Sequence, residues 1–211
     1  TRVWDQKGYH KFFAQPFGGT MPKDTSVEYR MVMEFFSAPP DAWKDTVAQE
    51  VAGLEQRFPA EGAAQVEQPR LYDEGVPENG LLTVKAGDYT IVFAAEQAWT
   101  IDSFSFDGNA IGGATGFYGT VLVPQGGQWI GTGHTEGGRE IVHAVKLLVD
   151  GQEQPIEVNK TIEADEITLI KDSTIHKFRA RTTITVCKDD VYERQELEAL
   201  EDMDIKLMYL F

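Results

Sequence analysis

The residues best suited to chemistry in this sequence lie in a glycine-rich segment, Gly131–Gly138. Four of its eight residues are glycine, and its large polar side chains are His134 and Glu136. Because glycine reaches positive φ and lets a ligand or another backbone come close, we expect a ligand to approach this segment. Imidazole and carboxylate groups can exchange protons with such a ligand or bind a metal ion. The segment therefore predicts a functional loop.

Acid–base catalysis is the first function that this loop could carry. Cleavage or elimination of a glycosidic bond needs an acid and a base within reach of that bond. Alternation along residues 178–186 points Arg179 and Arg181 away from the apolar face, where a guanidinium could hold a substrate carboxylate. The alternative for both arginines is a solvated strand face with ordinary ion pairs. The predicted catalytic residues are His134, Glu136, Tyr118 and Arg181, and Arg179 is a predicted substrate-binding residue.

A divalent metal ion is the second possibility, with His134, Glu136 and Glu140 as its ligands. These three residues share one side of an extended strand, and imidazole and carboxylate suit zinc, manganese, iron or copper. His143 falls on the other side together with apolar residues, which predicts a core histidine. The spacing departs from the cupin pattern, which has a second histidine and one more residue before the glutamate. Phosphate-loop and dinucleotide patterns are absent, so no other cofactor is indicated.

Saccharide stacking is the third possibility, with Trp99 and Trp129 as substrate-binding residues. An exposed aromatic ring on a sheet suits the apolar face of a pyranose. The alternative for each tryptophan is an ordinary place in the core. Trp43, in contrast, lies on the apolar stripe of a predicted helix, and we expect it in the core.

The elements that must position these residues are mostly short strands. Period-two alternation and turn residues predict an antiparallel two-sheet β-sandwich, jelly-roll-like, in a single domain over residues 1–211. An amphipathic helix near residues 41–58 is expected to pack on a sheet and, with a strand, forms an N-terminal subregion, 1–67. The predicted strands from residue 81 onward are 81–85, 89–94, 100–106, 119–123, 141–149, 156–158, 166–170, 178–186 and 205–211.

Three segments need separate comment. Residues 191–202 contain good helix formers but also alternate, and we favour a strand; the charged residues from Glu193 to Glu201 are expected to form a solvated face. Asp150-Gly151 between apolar runs predicts a hairpin. The apolar run Met208–Phe211 predicts either a buried terminal strand or a domain that continues beyond it.

The overall charge excludes some partners. The chain has 19 basic and 34 acidic residues, a formal net charge of −15. Such a charge repels phosphate backbones and anionic lipids, so neither nucleic acid nor a membrane surface is an expected partner. The single cysteine excludes an internal disulfide, and no run approaches the roughly 18 apolar residues of a membrane-spanning helix.

The order of these features over residues 80–211 resembles the large antiparallel sandwiches of the galactose-mutarotase-like or supersandwich kind. The resemblance lies in the segment Trp129–Gly138, the run Val145–Gly151 ending in Val-Asp-Gly, the run Thr182–Val186, the pair Glu193-Arg194 and the closing apolar strand. It implies a saccharide ligand, although that family's catalytic His and Glu have no clear counterparts here.

The sequence therefore favours a protein that acts on an oligo- or polysaccharide as a lyase, hydrolase or epimerase. The alternatives are a non-catalytic carbohydrate-binding module and a structural or assembly domain.

Overall fold

The computed structural model of this chain describes residues 2–6, 9–13, 18–35, 39, 41–57, 75–112, 119–131 and 136–209. Within these ranges the chain forms one α-helix, α1 (Trp43–Arg57), one 3-10 helical turn (Ala95–Gln97) and seventeen strands. The first ten strands are β1 (Arg2–Gln6), β2 (Tyr9–Phe13), β3 (Gly19–Met21), β4 (Ser26–Met33), β5 (Leu81–Ala86), β6 (Tyr89–Ala94), β7 (Thr100–Phe106), β8 (Asn109–Gly112), β9 (Val121–Pro124) and β10 (Ile130–Gly131). The others are β11 (Glu140–Val149), β12 (Gln152–Gln154), β13 (Lys160–Glu163), β14 (Glu166–Ile175), β15 (Phe178–Cys187), β16 (Val191–Ala199) and β17 (Met203–Tyr209).

The strands form three main sheets and a separate hairpin. The largest sheet has six strands in the spatial order β12-β11-β14-β15-β16-β4, and every neighbouring pair in it is antiparallel. A five-stranded sheet has the order β13-β5-β6-β7-β8, in which β13 pairs with β5 in parallel. A four-stranded sheet has the order β10-β9-β17-β3, and β1 pairs with β2 alone.

Both smaller sheets pack against one face of the six-stranded sheet. One apolar cluster joins Leu82 and Ile91 of the five-stranded sheet to Ile184 of β15. A second cluster joins Met208 of the four-stranded sheet to Phe178, which lies on the same side of β15. Apolar burial between facing sheets is the main stabilising contribution in such an architecture. The prediction of a mostly antiparallel β-sandwich is therefore confirmed.

Two local predictions are confirmed by the strand pairing. Burial alternates residue by residue along Val191–Ala199, so this ambiguous segment is a strand. Val149 pairs with Gln152, and the two residues between them, Asp150 and Gly151, have φ of 48° and 75°. Positive φ at both central residues is the geometry of a tight type I′ hairpin turn.

Two other predictions are wrong. Residues 156–158 do not form a strand; β13 begins at Lys160 instead. The helix has about the predicted bounds, but Trp43, Val47 and Val51 on its apolar stripe are 52%, 38% and 46% exposed. Periodicity identifies the apolar side of a helix without identifying what covers it. No helix within the described ranges is long and apolar enough to span a membrane.

A β-bulge in β11 explains why the predicted core position of His143 is wrong. Val142 pairs with Ser173 and Ala144 with Asp172, so His143 is an extra residue without an opposite partner on β14. Its side chain is exposed, and its imidazole Nε2 lies 2.7 Å from the Thr174 hydroxyl oxygen. An extra residue shifts the alternation of every residue on one side of it.

The bulge also exchanges the sides of the sheet on which Glu140 and Ile141 lie. Simple alternation from the buried Val145 would place Ile141 in the core and Glu140 in solvent. Instead, Ile141 is 61% exposed, whereas the side chain of Glu140 is 4% exposed. The bulge therefore brings the carboxylate of Glu140 into the interior two residues after the end of the glycine-rich segment.

Candidate functional site

Two aromatic side chains on the four-stranded sheet form the feature best suited to hold a ligand. Trp129 comes directly before β10 and Tyr209 ends β17, with β9 between these two strands. Their neighbours Ile130 and Met208 are buried in the core, so alternation places Trp129 and Tyr209 on the outer side. The ring centroids are 5.9 Å apart and the planes differ by 22°, an offset stack, and Trp129 is 37% exposed. We call this pair the aromatic platform.

The glycine-rich segment returns to the aromatic platform through Gly137. The amide N–H of Gly137 donates a hydrogen bond of 2.9 Å to the carbonyl oxygen of Trp129. Glu136 immediately precedes Gly137, and its side chain is exposed. The structure thus brings the backbone of Glu136 close to that of Trp129, so two of the predicted residues are neighbours.

Two glycines of the segment are required by the protein's own packing. Gly131 has a φ of +115°, and a Cβ there would collide with the carbonyl oxygen of Thr120. A Cβ on Gly137 would lie 2.6 Å from Cγ1 of Ile130. At Gly138, with a φ of +126°, a Cβ would meet open space. The atoms that come close to Gly131 and Gly137 therefore belong to the protein itself. The packing of the protein is sufficient to explain why these two positions are glycine.

The other predicted residues are distributed over separate parts of the chain. His134 and Tyr118 lie outside the described residues. Trp99 is 1% exposed, and its indole N–H donates a hydrogen bond of 3.0 Å to the carbonyl oxygen of Pro77. Trp99 is therefore a core residue of the five-stranded sheet and presents no ring to solvent, so its assignment to a stacking surface is corrected.

Arg181 and Arg179 lie on the same side of β15 in very different environments. The Arg181 guanidinium donates to both carboxylate oxygens of Asp172, at 2.8 and 2.7 Å, and these side chains are 5% and 4% exposed. The hydrogen bonds that Arg181 donates to the Asp172 carboxylate raise the pKa of Arg181. The Arg179 side chain is 47% exposed and contacts Glu198 at 3.0 Å. The guanidinium N–H groups of Arg181 that would bind a substrate carboxylate already bind the carboxylate of Asp172.

Glu140 is bound by two groups of β14. The Nζ atom of Lys171 lies 2.9 Å from Oε1 of Glu140, and the Ser173 hydroxyl donates to the same oxygen at 2.5 Å. Both groups bind Oε1, whereas Oε2 of Glu140 is buried without a hydrogen-bond partner. Among the residues that the structure describes, no group of three or more His, Cys, Asp and Glu side chains could hold a metal ion.

Glu193 is a buried acid, although its place in a run of charged residues predicted a solvated position. It is 3% exposed, because it shares the inner face of the six-stranded sheet with Val191 and Leu197. Burial raises the pKa of Glu193 to about 7, although the positive charge of Lys171 acts in the opposite direction. The parity of Glu193 with Val191 and Leu197 was the evidence in the sequence that could have identified it.

A cleft of about 450 Å³ lies elsewhere, beside β12. Its lining includes the ion pair between Lys146 and Glu153, whose charged atoms are 2.7 Å apart, and apolar side chains such as Val76 and Ile156. None of the predicted site residues is among the residues that line it. The cleft and the aromatic platform are therefore different features.

The first prediction concerns the packing of Gly131. Gly131→Ala should lower the free energy of unfolding by about 3 kcal/mol or more, since the new Cβ would overlap Thr120. Gly108→Ala is the matched control, because Gly108 also has positive φ (+71°) but open space around it. It should cost about 1 kcal/mol. Urea unfolding measures both, and equal losses would show that Gly131 is not sterically required.

The second prediction separates the two arginines of β15. Arg181→Ala should cost about 3–5 kcal/mol in the free energy of unfolding, because it leaves the Asp172 carboxylate buried without its ion partner. Arg179→Ala removes an exposed pair and should cost less than about 1 kcal/mol. Urea unfolding of the two variants tests this difference. A small loss for Arg181→Ala would mean that its pairing with Asp172 does not support the fold.

Comparison of the chain with protein-family models, with curated proteins and with solved structures finds no match in any of the three. The resemblance of residues 80–211 to galactose-mutarotase-like sandwiches therefore stays an expectation from the sequence. The candidate site is the exposed aromatic platform, with the backbone of Glu136 and Gly137 beside Trp129.

Proposed function

We propose that this protein binds a saccharide on the aromatic platform, with a sugar ring lying over Trp129. The observation that carries the proposal is the offset, nearly parallel pair of rings on the outer side of a sheet, with Trp129 37% exposed. One face of a pyranose is formed by C–H groups and is nearly flat, so it matches the face of an aromatic ring. Tyr209 supports the indole from the side and restricts its orientation, which lowers the entropy lost on binding.

Polar groups at the border of the platform suit the hydroxyl groups of such a ring. Gln128 precedes Trp129 and is exposed, as is Glu136. A carboxylate accepts hydrogen bonds from hydroxyls, and a side-chain amide both donates and accepts them. The hydrogen bond from Gly137 to the Trp129 carbonyl keeps Glu136 near the platform. An aromatic floor with hydrogen-bonding groups at its edge is the combination that a sugar requires.

The charges of the molecule favour a neutral saccharide. The net charge of −15 repels a polyanion such as a uronate polymer. Arg181 is buried against Asp172, and Arg179 contacts Glu198, so both arginines that were expected to hold a sugar carboxylate bind acids of the protein. A neutral oligo- or polysaccharide is therefore the ligand class that we propose.

Catalysis on the bound sugar is the second candidate function, and the position of Glu136 favours it. A carboxylate beside a sugar-binding ring can act as an acid or base on a glycosidic bond, as in hydrolases, lyases and epimerases. Its predicted partners in proton transfer are His134 and Tyr118. A non-catalytic binding module needs the platform alone, whereas a structural or assembly domain needs neither feature.

The third prediction tests saccharide binding. Trp129→Ala should abolish binding to glycans that the wild-type protein retains on a glycan array, because the stacking surface is lost. Its melting temperature should fall by only a few degrees, as expected for the loss of about 1 kcal/mol from one aromatic pair. Trp43→Ala is the matched control, since Trp43 is also exposed but lies on α1. It should bind as the wild-type protein does.

Two outcomes would contradict this proposal. If the wild-type protein binds no glycan, the third class, a structural or assembly domain, becomes the better explanation. If Trp129→Ala binds as strongly as the wild-type protein, the saccharide site lies elsewhere in the molecule.

The fourth prediction tests catalysis. Glu136→Gln or His134→Ala should abolish product formation from a glycan that binds, while each lowers the melting temperature by a few degrees at most. Glu136→Gln should retain glycan binding, because the platform is unchanged and the amide is nearly isosteric with the carboxylate. Chromatography of the glycan products measures activity. Unchanged turnover in both variants would exclude the glycine-rich segment as the catalytic site.

A further inference from the structure

The six-stranded sheet ends on an unusually long strand, β4. This strand has eight residues, whereas the strands at the other ends of the three main sheets have two to four. It pairs with β16 along its whole length without a register shift, and within the described ranges no strand pairs with its other edge. A long, regular and unpaired edge is a template for another strand. The free edge of β4 is therefore a surface suited to strand pairing.

The backbone groups at this free edge belong to alternate residues of β4. The amide N–H of Ala199 donates a hydrogen bond of 2.9 Å to the carbonyl oxygen of Thr25, so the backbone groups of Thr25 point toward β16. Successive residues of a strand direct their N–H and C=O groups to opposite edges. The residues whose N–H and C=O groups point away from β16 are therefore Ser26, Glu28, Arg30 and Val32.

Two of these residues carry opposite charges, and each faces a like charge on β16. Glu28 lies directly opposite Glu196, and Arg30 lies directly opposite Arg194. Like charges in directly opposite positions destabilise a strand pair. Contacts with Glu28 offset this effect, because Arg194 and Arg30 lie 2.6 Å and 2.5 Å from its carboxylate oxygens. A strand on the free edge that placed a cation opposite Glu28 and an anion opposite Arg30 would complete the compensation.

We propose that β4 pairs with β4 of a second copy of this chain, antiparallel, about a two-fold axis that passes beside Tyr29. In this register Glu28 lies opposite the partner's Arg30, and Arg30 lies opposite the partner's Glu28. The outward-pointing backbone groups form about eight hydrogen bonds between the copies. The two six-stranded sheets thereby become one continuous sheet.

The order Glu-Tyr-Arg selects both the register and the partner. In a two-fold pair each residue meets its symmetry-related position, so a sequence must complement itself. An axis beside Glu28 or beside Arg30 would place like charges directly opposite each other. An axis beside Tyr29 places opposite charges there instead, and a second copy of β4 supplies them in the required order.

The inner side of β4 also favours this pairing. Val27, Tyr29 and Met31 are half-buried, and Val27 and Tyr29 pack against the apolar cluster of the four-stranded sheet. In the proposed register Val27 lies opposite the partner's Met31. Pairing therefore covers apolar side chains that the edge position leaves partly exposed.

The fifth prediction tests the register by crosslinking. The two Cα atoms of residue 29 would form a non-hydrogen-bonded pair about 4.5 Å apart, a separation that a disulfide can bridge. Tyr29→Cys should therefore form an intermolecular disulfide on mild oxidation. Val27→Cys, on the same side of β4, is the matched control, because its two copies would be about 13 Å apart or more. Non-reducing gel electrophoresis should show about ten-fold more crosslinked dimer for Tyr29→Cys. The wild-type protein controls for its single cysteine, Cys187.

Two charge variants test the pairing of Glu28 with Arg30. Salt at about 0.15 M screens the long-range repulsion between copies that each carry a net charge of −15. Under these conditions sedimentation equilibrium should give the wild-type protein twice the mass of one chain, 23.5 kDa. Arg30→Glu and Glu28→Lys should each raise the dissociation constant about ten-fold or more, since each places like charges opposite one another. An equimolar mixture of the two should associate again, because each changed residue then faces an opposite charge.

Three outcomes would overturn the proposal. The first is a wild-type mass of one chain at high protein concentration. The second is equal crosslinking of Tyr29→Cys and Val27→Cys. The third is a mixture of Arg30→Glu and Glu28→Lys that stays monomeric although circular dichroism shows that both variants retain their strands.

Discussion

The six-stranded sheet packs against two smaller sheets on the same face, and the remaining structure depends on this constraint. Each smaller sheet needs apolar side chains opposite it, so a strand that crosses both regions passes from one apolar cluster to the other. On β15 the buried side chains run from Phe178 and Ala180, through Thr182, to Ile184. Buried polar groups at the transition must bind one another. Thr182 does so through Gln195, whereas Oε2 of Glu193 has no such partner.

The bulge at His143 connects this interior to the candidate site. It turns Glu140 inward, where Lys171 and Ser173 bind it, and it leaves Ile141 on the surface. The glycine-rich segment therefore ends on a carboxylate anchored in the core. One register shift thus determines both the buried ion pair of Glu140 with Lys171 and the exposure of Ile141.

The aromatic platform shows how a site arises from distant parts of a β-sandwich. Trp129 and Tyr209 are far apart in the chain, but β10, β9 and β17 are neighbours in one sheet. The hydrogen bond from Gly137 to Trp129 then brings Glu136 to the same edge. Neither the ring pair nor the position of Glu136 in the chain beside Trp129 follows from local sequence, because both depend on tertiary contacts.

The sequence by itself determined the local order: alternation along Val191–Ala199, the Asp150-Gly151 turn and the extent of α1 were all predictable, because each depends on residues close together in the chain. The tertiary structure decided the environment of each charged side chain. It buried Arg181 against Asp172 and placed Glu193 between two apolar clusters, although both residues are charged and looked solvated in the sequence. Alternation gives the side of β16 on which Glu193 lies, but what covers that side depends on strand pairing and on the facing sheets, which are contacts between residues far apart in the chain.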